Sequence, residues 1–134
     1  RTDDIINCAG HRISTGSIEE ILTSHPLVAE CAVVGINDKL KGEVPFGLLV
    51  LNSNNVLSED KIINETINLV RDKLGPVASY KISSVVEGLP KTRSGKILRS
   101  TISKILNKQD YKMPATIEDP LTLEFIKKLK INID

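Results

Sequence analysis

The sequence predicts an α+β fold: a small mixed or antiparallel sheet with an N-terminal β-hairpin, flanked by helices. Three observations carry that expectation. Two short apolar runs, residues 31–36 (CAVVGI) and 46–51 (FGLLVL), have strand length and are bounded by turn-forming residues. Segments with apolar residues at helical spacing are interleaved with them. Ala9-Gly10, between residues 5–8 and 11–13, suits a tight hairpin turn.

The elements follow in order. Ser17 and Glu20 have capping-box spacing and predict a helix start there, with Ile18, Ile21 and Leu22 on one face and Pro26 stopping it. Residues 31–36 and 46–51 read as neighbouring strands, and 52–55 as a polar loop. Ser58 caps a second helix with Glu59 and Asp60 in its first turn, where the helix dipole favours acids. Ile63, Ile67, Val70 and Leu74 form its expected apolar stripe, and Gly75-Pro76 ends it. Residues 80–86 alternate like a strand, and 88–95 form a basic loop. Leu98, Ile102, Ile105 and Leu106 mark a third helix. Asp119-Pro120 begins a last one carrying Phe125, Ile126 and Leu129.

Composition narrows the function classes. The chain has 134 residues, one domain's worth, and its 40% apolar and 26% charged content is that of an ordinary globular protein. Aromatics are only 3% with no Trp, so Ile, Leu and Val must build the core, and stacking on flat ligands is not expected. A net charge of +1 supplies no field to steer the chain to nucleic acid or membrane. No apolar run approaches the roughly 18 residues of a membrane span. Cys8 and Cys31 lack metal-site spacing and read as reduced, buried residues of an intracellular protein. The chain opens at Arg1 without an initiator Met, which suggests a piece of a longer protein whose targeting sequence lies out of view.

The candidate chemistry sits in residues 90–96, PKTRSGK. A phosphate-binding P-loop needs Gly, four residues, then Gly-Lys-Ser/Thr. Here Pro90 stands at the first position and Ile97 follows the Lys, so this is no P-loop. Gly95 still allows close backbone approach, and Lys96 offers a compact charge, so an anion site and a merely solvated basic loop both remain open.

PKTRSGK resembles the late motif of adenylate-forming enzymes, the superfamily of acyl-CoA synthetases, luciferases and peptide-synthetase adenylation domains. The opening RTDDIINCAGHRIS resembles their hinge motif, and the two stand in the family's order. The segment AVVGINDKLKGEVPFGLLVL matches the layout between them. The resemblance covers roughly residues 1–108, the C-terminal lid domain beginning at the hinge. Residues 109–134 read as an extension with a short helix packed on the same domain. Its YKMPATIEDP stretch resembles the ending of propionate-type synthetases.

The resemblance implies an AMP-forming ligase of short-chain acids. Its substrates are ATP with Mg²⁺, coenzyme A, and a carboxylate such as acetate or propionate, and its partner is a large N-terminal domain. It assigns Lys96 to catalysis of adenylation, Asp3 to the hinge, and Arg1 and Arg12 to nucleotide binding. Gly10 and Arg71 fall at coenzyme A positions. Thr23, His25 and Val28 align with a magnesium site built partly of carbonyls, though His25 before Pro26 also reads as a capping or packed histidine. The motif further resembles an acetylation site, which implies a lysine acetyltransferase and deacetylase as partners.

Blander roles stand beside these. Asp4 can cap or pair with Arg1, His11 can simply orient the hairpin, and Lys91, Arg93 and the Lys104–Lys108 stretch can be surface charge. Two alternatives compete with the free-CoA ligase: a carrier-loading adenylation domain, and a small basic module binding RNA or acidic partners through residues 91–108. Missing aromatic platforms argue against nucleic acid. The expected setting is intracellular, cytoplasmic or mitochondrial.

Overall fold

The computed structural model describes residues 5–53, 57–76 and 80–129. Strands β1 (Ile5–Cys8) and β2 (His11–Ser14) form the expected hairpin. Its turn residues Ala9 and Gly10 have φ of 51° and 84°, the pair of positive values that a two-residue type I′ turn needs.

Helix α1 (Thr15–Thr23) starts earlier than the capping-box reading of Ser17. The cap is Ser14, whose hydroxyl accepts from the Ser17 N–H at 3.3 Å. Ser14 ends a strand and keeps extended backbone, so its side chain can reach the third N–H of the helix, while Ser17 is already helical.

Strands β3 (Val28–Asp38) and β4 (Gly42–Leu51) pair antiparallel along their lengths. Their joining turn is shaped by the Asp38 carboxylate, which accepts from the N–H groups of Leu40 and Lys41, each at 2.9 Å. Those two bonds hold the Asp38 carboxyl below its usual range, the Lys41 bond most. Residues 31–36 and 44–49 are buried without interruption, which accounts for continuous apolar runs where a half-solvated strand would alternate.

β4 is central. β3 covers one edge, while β1 (through Cys8 beside Gly42) and β5 (Ile82–Val85, parallel to residues 46–49) share the other. The sheet is therefore mixed. Pro45 lies opposite Gly35, whose carbonyl turns outward to Ser103 and Asn107. The missing N–H of Pro45 accordingly faces the junction between β1 and β5, where no ladder bond is lost.

Side chains close the outer edge of β3. Glu19 accepts from the Val33 N–H at 2.8 Å, Ser103 donates to the Gly35 carbonyl at 2.9 Å, and Asn107 accepts from the Asn37 N–H at 2.8 Å. Main-chain groups that would template another strand are thereby satisfied by α1 and the end of α3 (Arg99–Leu106).

Helix α2 (Glu59–Leu74) has the expected cap, Ser58 accepting from Lys61 N–H at 3.2 Å, and ends at Gly75 with φ 82°. Its buried face is Ile62, Thr66 and Val70, rotated from the Ile63, Ile67, Val70 and Leu74 stripe; Ile63, Ile67 and Leu74 flank it half-buried. The Thr66 hydroxyl donates to the Ile63 carbonyl at 2.8 Å, so this buried hydroxyl is satisfied within the helix. Tyr80 packs over Gly47, where any side chain would collide with its ring. Cys8 and Cys31 are buried and free.

Beyond α3 the chain runs to α4 (Leu121–Lys127), which packs on α3 and buries Leu123 and Ile126. Asp119 opens α4 by accepting from the Leu121 N–H at 3.0 Å. Lys127 lies 5.5 Å from the ring centroid of Tyr111.

Candidate functional site

Among the described residues, those singled out from the sequence sort to the two ends of the β3–β4 ladder. Glu30, near the start of β3, and Asp38, at its end, are roughly 26 Å apart at about 3.3 Å per residue.

At the Glu30 end stands the PKTRSGK loop. Lys91 pairs with Glu30 at 2.8 Å. Backbone bridging of Lys91 with Ile97, and the Leu98 N–H donating to the Pro90 carbonyl at 2.9 Å, close the loop's base. Within it, Thr92 N–H donates to the Lys96 carbonyl at 2.8 Å, Gly95 N–H to the Thr92 carbonyl at 2.9 Å, and Lys96 N–H to the Thr92 hydroxyl at 3.1 Å. Gly95 has φ 92°, which a residue with a Cβ would adopt only under strain. The result is a knotted turn rather than a slack loop. Lys96 is exposed at its edge and forms no ion pair with any described residue.

Just after the turn, Arg99 grips Glu19 with both Nε, at 2.9 Å, and Nη2. That carboxylate is only 14% exposed and the guanidinium 22%. Beside them Cys31 has its thiol pushed up to about 12, chiefly by burial and then by the Glu19 charge. Within residues 91–108, Lys91 and Arg99 are thus both paired with acids.

Gly10 and Arg12 lie at the opposite end. Both are exposed, and Arg12 pairs with no acid among the described residues. Ala9 N–H donates to the Lys41 carbonyl at 2.8 Å, which joins the hairpin turn to the β3–β4 turn. A Cβ at Gly10 would meet nothing within 4 Å, so the turn tip is open to whatever approaches it. Arg71 shares a cleft of about 180 Å³ with Lys41, Lys81 and Tyr80. No acid among the described residues lines that cleft. Lys41 and Lys81 escaped sequence reasoning. Lys41, beside Gly42 in a polar turn, carried a faint signal; Lys81 carried none.

Thr23, His25 and Val28 cluster at the Glu30 end. The Thr23 hydroxyl donates to the carbonyls of Glu19 and Glu20, at 3.0 and 3.1 Å. His25 is 8% exposed; its Nδ1 accepts from the Leu27 N–H at 3.1 Å, so Nε2 carries the proton toward Glu65 at 2.8 Å. Both ring nitrogens are thus engaged, and the His25 carbonyl accepts from Val28 N–H at 3.1 Å. The imidazole does not fit a metal ligand in this state, and no group of three metal-binding side chains occurs among the described residues. Arg1, Asp3 and Asp4 lie outside the described residues.

Comparisons with known proteins bear on this arrangement. A family model, the AMP-binding enzyme C-terminal domain, matches residues 17–96. Acyl-CoA synthetase short-chain family member B, mitochondrial, of Dictyostelium discoideum is 52% identical over 100% of this chain. Family member 3, mitochondrial, of Mus musculus is 50% identical over 96% of it. This chain spans 19% of the length of each. Among solved structures, a Brucella canis acyl-CoA synthetase matches 81% of this chain and 20% of its own, with TM-score 0.74 and 32% identity.

Proposed function

Since the chain belongs to the AMP-binding enzyme C-terminal domain family, we propose that it is the mobile C-terminal domain of an AMP-forming synthetase joining a short-chain carboxylate, acetate or propionate, to coenzyme A. In the first half-reaction a carboxylate oxygen attacks the α-phosphorus of Mg-ATP, giving acyl-adenylate and pyrophosphate. In the second the coenzyme A thiolate attacks the acyl carbon and AMP leaves. Negative charge builds on phosphoryl or carbonyl oxygens in both steps, so a fixed cation is the natural catalyst.

The observation that carries this reading is the separation of the two turns. Lys96 at one end of a rigid ladder and Gly10 at the other cannot serve one reaction centre together. Each can serve it in turn if the domain rotates about a hinge, for which Asp3 is proposed. Lys96 would bridge carboxylate and α-phosphate in the first orientation. In the second, the Gly10 tip would line the pantetheine path, with Arg12 near the nucleotide phosphate and Arg71 at the phosphates of coenzyme A. Lys41 and Lys81 beside Arg71 support an anionic ligand there. Arg1 would complete the nucleotide contacts.

The proposed magnesium contact at Thr23, His25 and Val28 would use carbonyl oxygens alone, because the imidazole is engaged. Lys96 is exposed enough for a lysine acetyltransferase and deacetylase, and acetylation would erase its charge. The mitochondrial relatives support an intracellular setting.

The test is Lys96→Ala in the full-length synthetase. Carboxylate-dependent ATP–pyrophosphate exchange should fall by about 10²–10³-fold, the loss of one preorganised donor. Thioester formation from supplied acyl-adenylate should persist. Unchanged exchange would refute the assignment.

A further inference from the structure

The stretch 114–118 lies outside residues 17–96, yet it touches the loop that ends there. Thr92 and Ile117 form an isolated antiparallel bridge. Arg93 N–H donates to the Thr116 carbonyl at 3.0 Å, and Glu118 N–H donates to the Lys91 carbonyl at 2.9 Å. Ile117 is 6% exposed, whereas Thr116 and Glu118 are exposed. The segment is itself held: Ile117 N–H donates to the Pro114 carbonyl at 3.2 Å, and α4 anchors the chain beyond it through Leu123 and Ile126, buried against the core.

We propose that the main chain of residues 114–118, in the C-terminal extension, is a positioning strap for Lys96. The proposal rests on the assignment of Lys96 to adenylation. Ile97 holds the loop from one side through Lys91 and the strap holds it from the other, so Thr92 and Arg93 are fixed on both flanks. Thr92 in turn ties down Lys96 through its N–H and its hydroxyl. Every strap bond to the loop is between main-chain groups, so the strap sets backbone geometry and is indifferent to the loop's side chains. A long lysine on a loose turn would spread its ammonium over many positions. A turn fixed at Thr92 narrows that spread toward the orientation the reaction needs.

Glu118→Pro in the full-length synthetase removes the N–H that reaches Lys91 and disturbs no buried side chain; Glu118→Ala keeps the N–H and is the control. Glu118→Pro should lower kcat for carboxylate-dependent ATP–pyrophosphate exchange roughly tenfold, a cost in keeping with slight misplacement of a catalytic group. KM for ATP and thioester formation from supplied acyl-adenylate should not change. In a Lys96→Ala background the proline should add nothing, because its effect runs through that ammonium. Glu118→Ala should behave as wild type. If the proline variant does not fold, Ile117→Ala should give a smaller loss with the same selectivity.

Equal loss of both half-reactions would make the segment a structural clasp only and overturn the proposal. So would an undiminished exchange rate, or an additive effect on Lys96→Ala. An inactive Lys96→Ala with a fully active Glu118→Pro sinks the strap alone. A fully active Lys96→Ala sinks the reading beneath it as well.

Discussion

Replacing Glu19 with Ala should destabilise this chain as much as many truncations of its apolar core. The carboxylate accepts from Arg99 Nε at 2.9 Å, from Arg99 Nη2, and from the Val33 N–H at 2.8 Å, with only 14% of the side chain exposed. Its removal orphans a main-chain donor on the edge of β3 and leaves the Arg99 guanidinium, 22% exposed, without this carboxylate. An unmet buried donor costs about 1–3 kcal/mol, and breaking a buried ion pair about 3–5 kcal/mol. Partial exposure lets water recover some of this, so about 3 kcal/mol is expected overall. In urea, with a slope of about 2 kcal/mol/M for a domain of this size, the midpoint should fall by roughly 1.5 M at unchanged slope. Glu19→Gln should fall between, since an amide oxygen can still accept from Val33. A Glu19→Ala midpoint within about 0.3 M of wild type would refute the claim that this carboxylate fastens α3 and the β3 edge.

Two further outcomes follow from the geometry. A Cβ at Gly10 would meet nothing within 4 Å, so the main cost of Gly10→Leu to this domain should be the strain of a positive φ, about 1–2 kcal/mol; in the full-length synthetase it should spare adenylation yet abolish thioester formation, and equal loss of both would argue against a coenzyme A path at this turn. Cys31, raised from 9.0 to about 12 mainly by burial, ionises later in the folded chain than in the unfolded one. Its contribution to stability is therefore whole below pH 9.0 and is lost as pH climbs toward 12, in the same direction as buried Tyr80. The urea midpoint should decline above pH 9.0, less steeply in Cys31→Ala, and a level profile would show that the buried thiol plays no part.

Much of the architecture was legible because it is written in short-range chemistry. The runs at 31–36 and 46–51 became paired, largely buried strands because a short apolar stretch with turn residues at its ends has few other stable outcomes. Ala9-Gly10, Ser58 and Gly75 ended up as turn, cap and stop because their backbone preferences are local. The start of α1 was misplaced for a related reason. Ser14 and Ser17 are both competent caps, and the choice depended on which one the preceding strand left extended.

From the sequence alone came the elements, the turn bearing Lys96, and the likeness of its two motifs to a family. Tertiary structure alone decided that β5 runs parallel beside β1's junction with β4, that α1 and α3 seal the β3 edge, and that Glu19 meets Arg99. It also placed Lys96 and Gly10 at opposite ends of one ladder, and gathered Lys41 and Lys81 around Arg71. Propensity and periodicity report what a residue does to its immediate neighbours along the chain. Which strand edge is left to pair, and which charges meet across it, depends on the whole core closing at once.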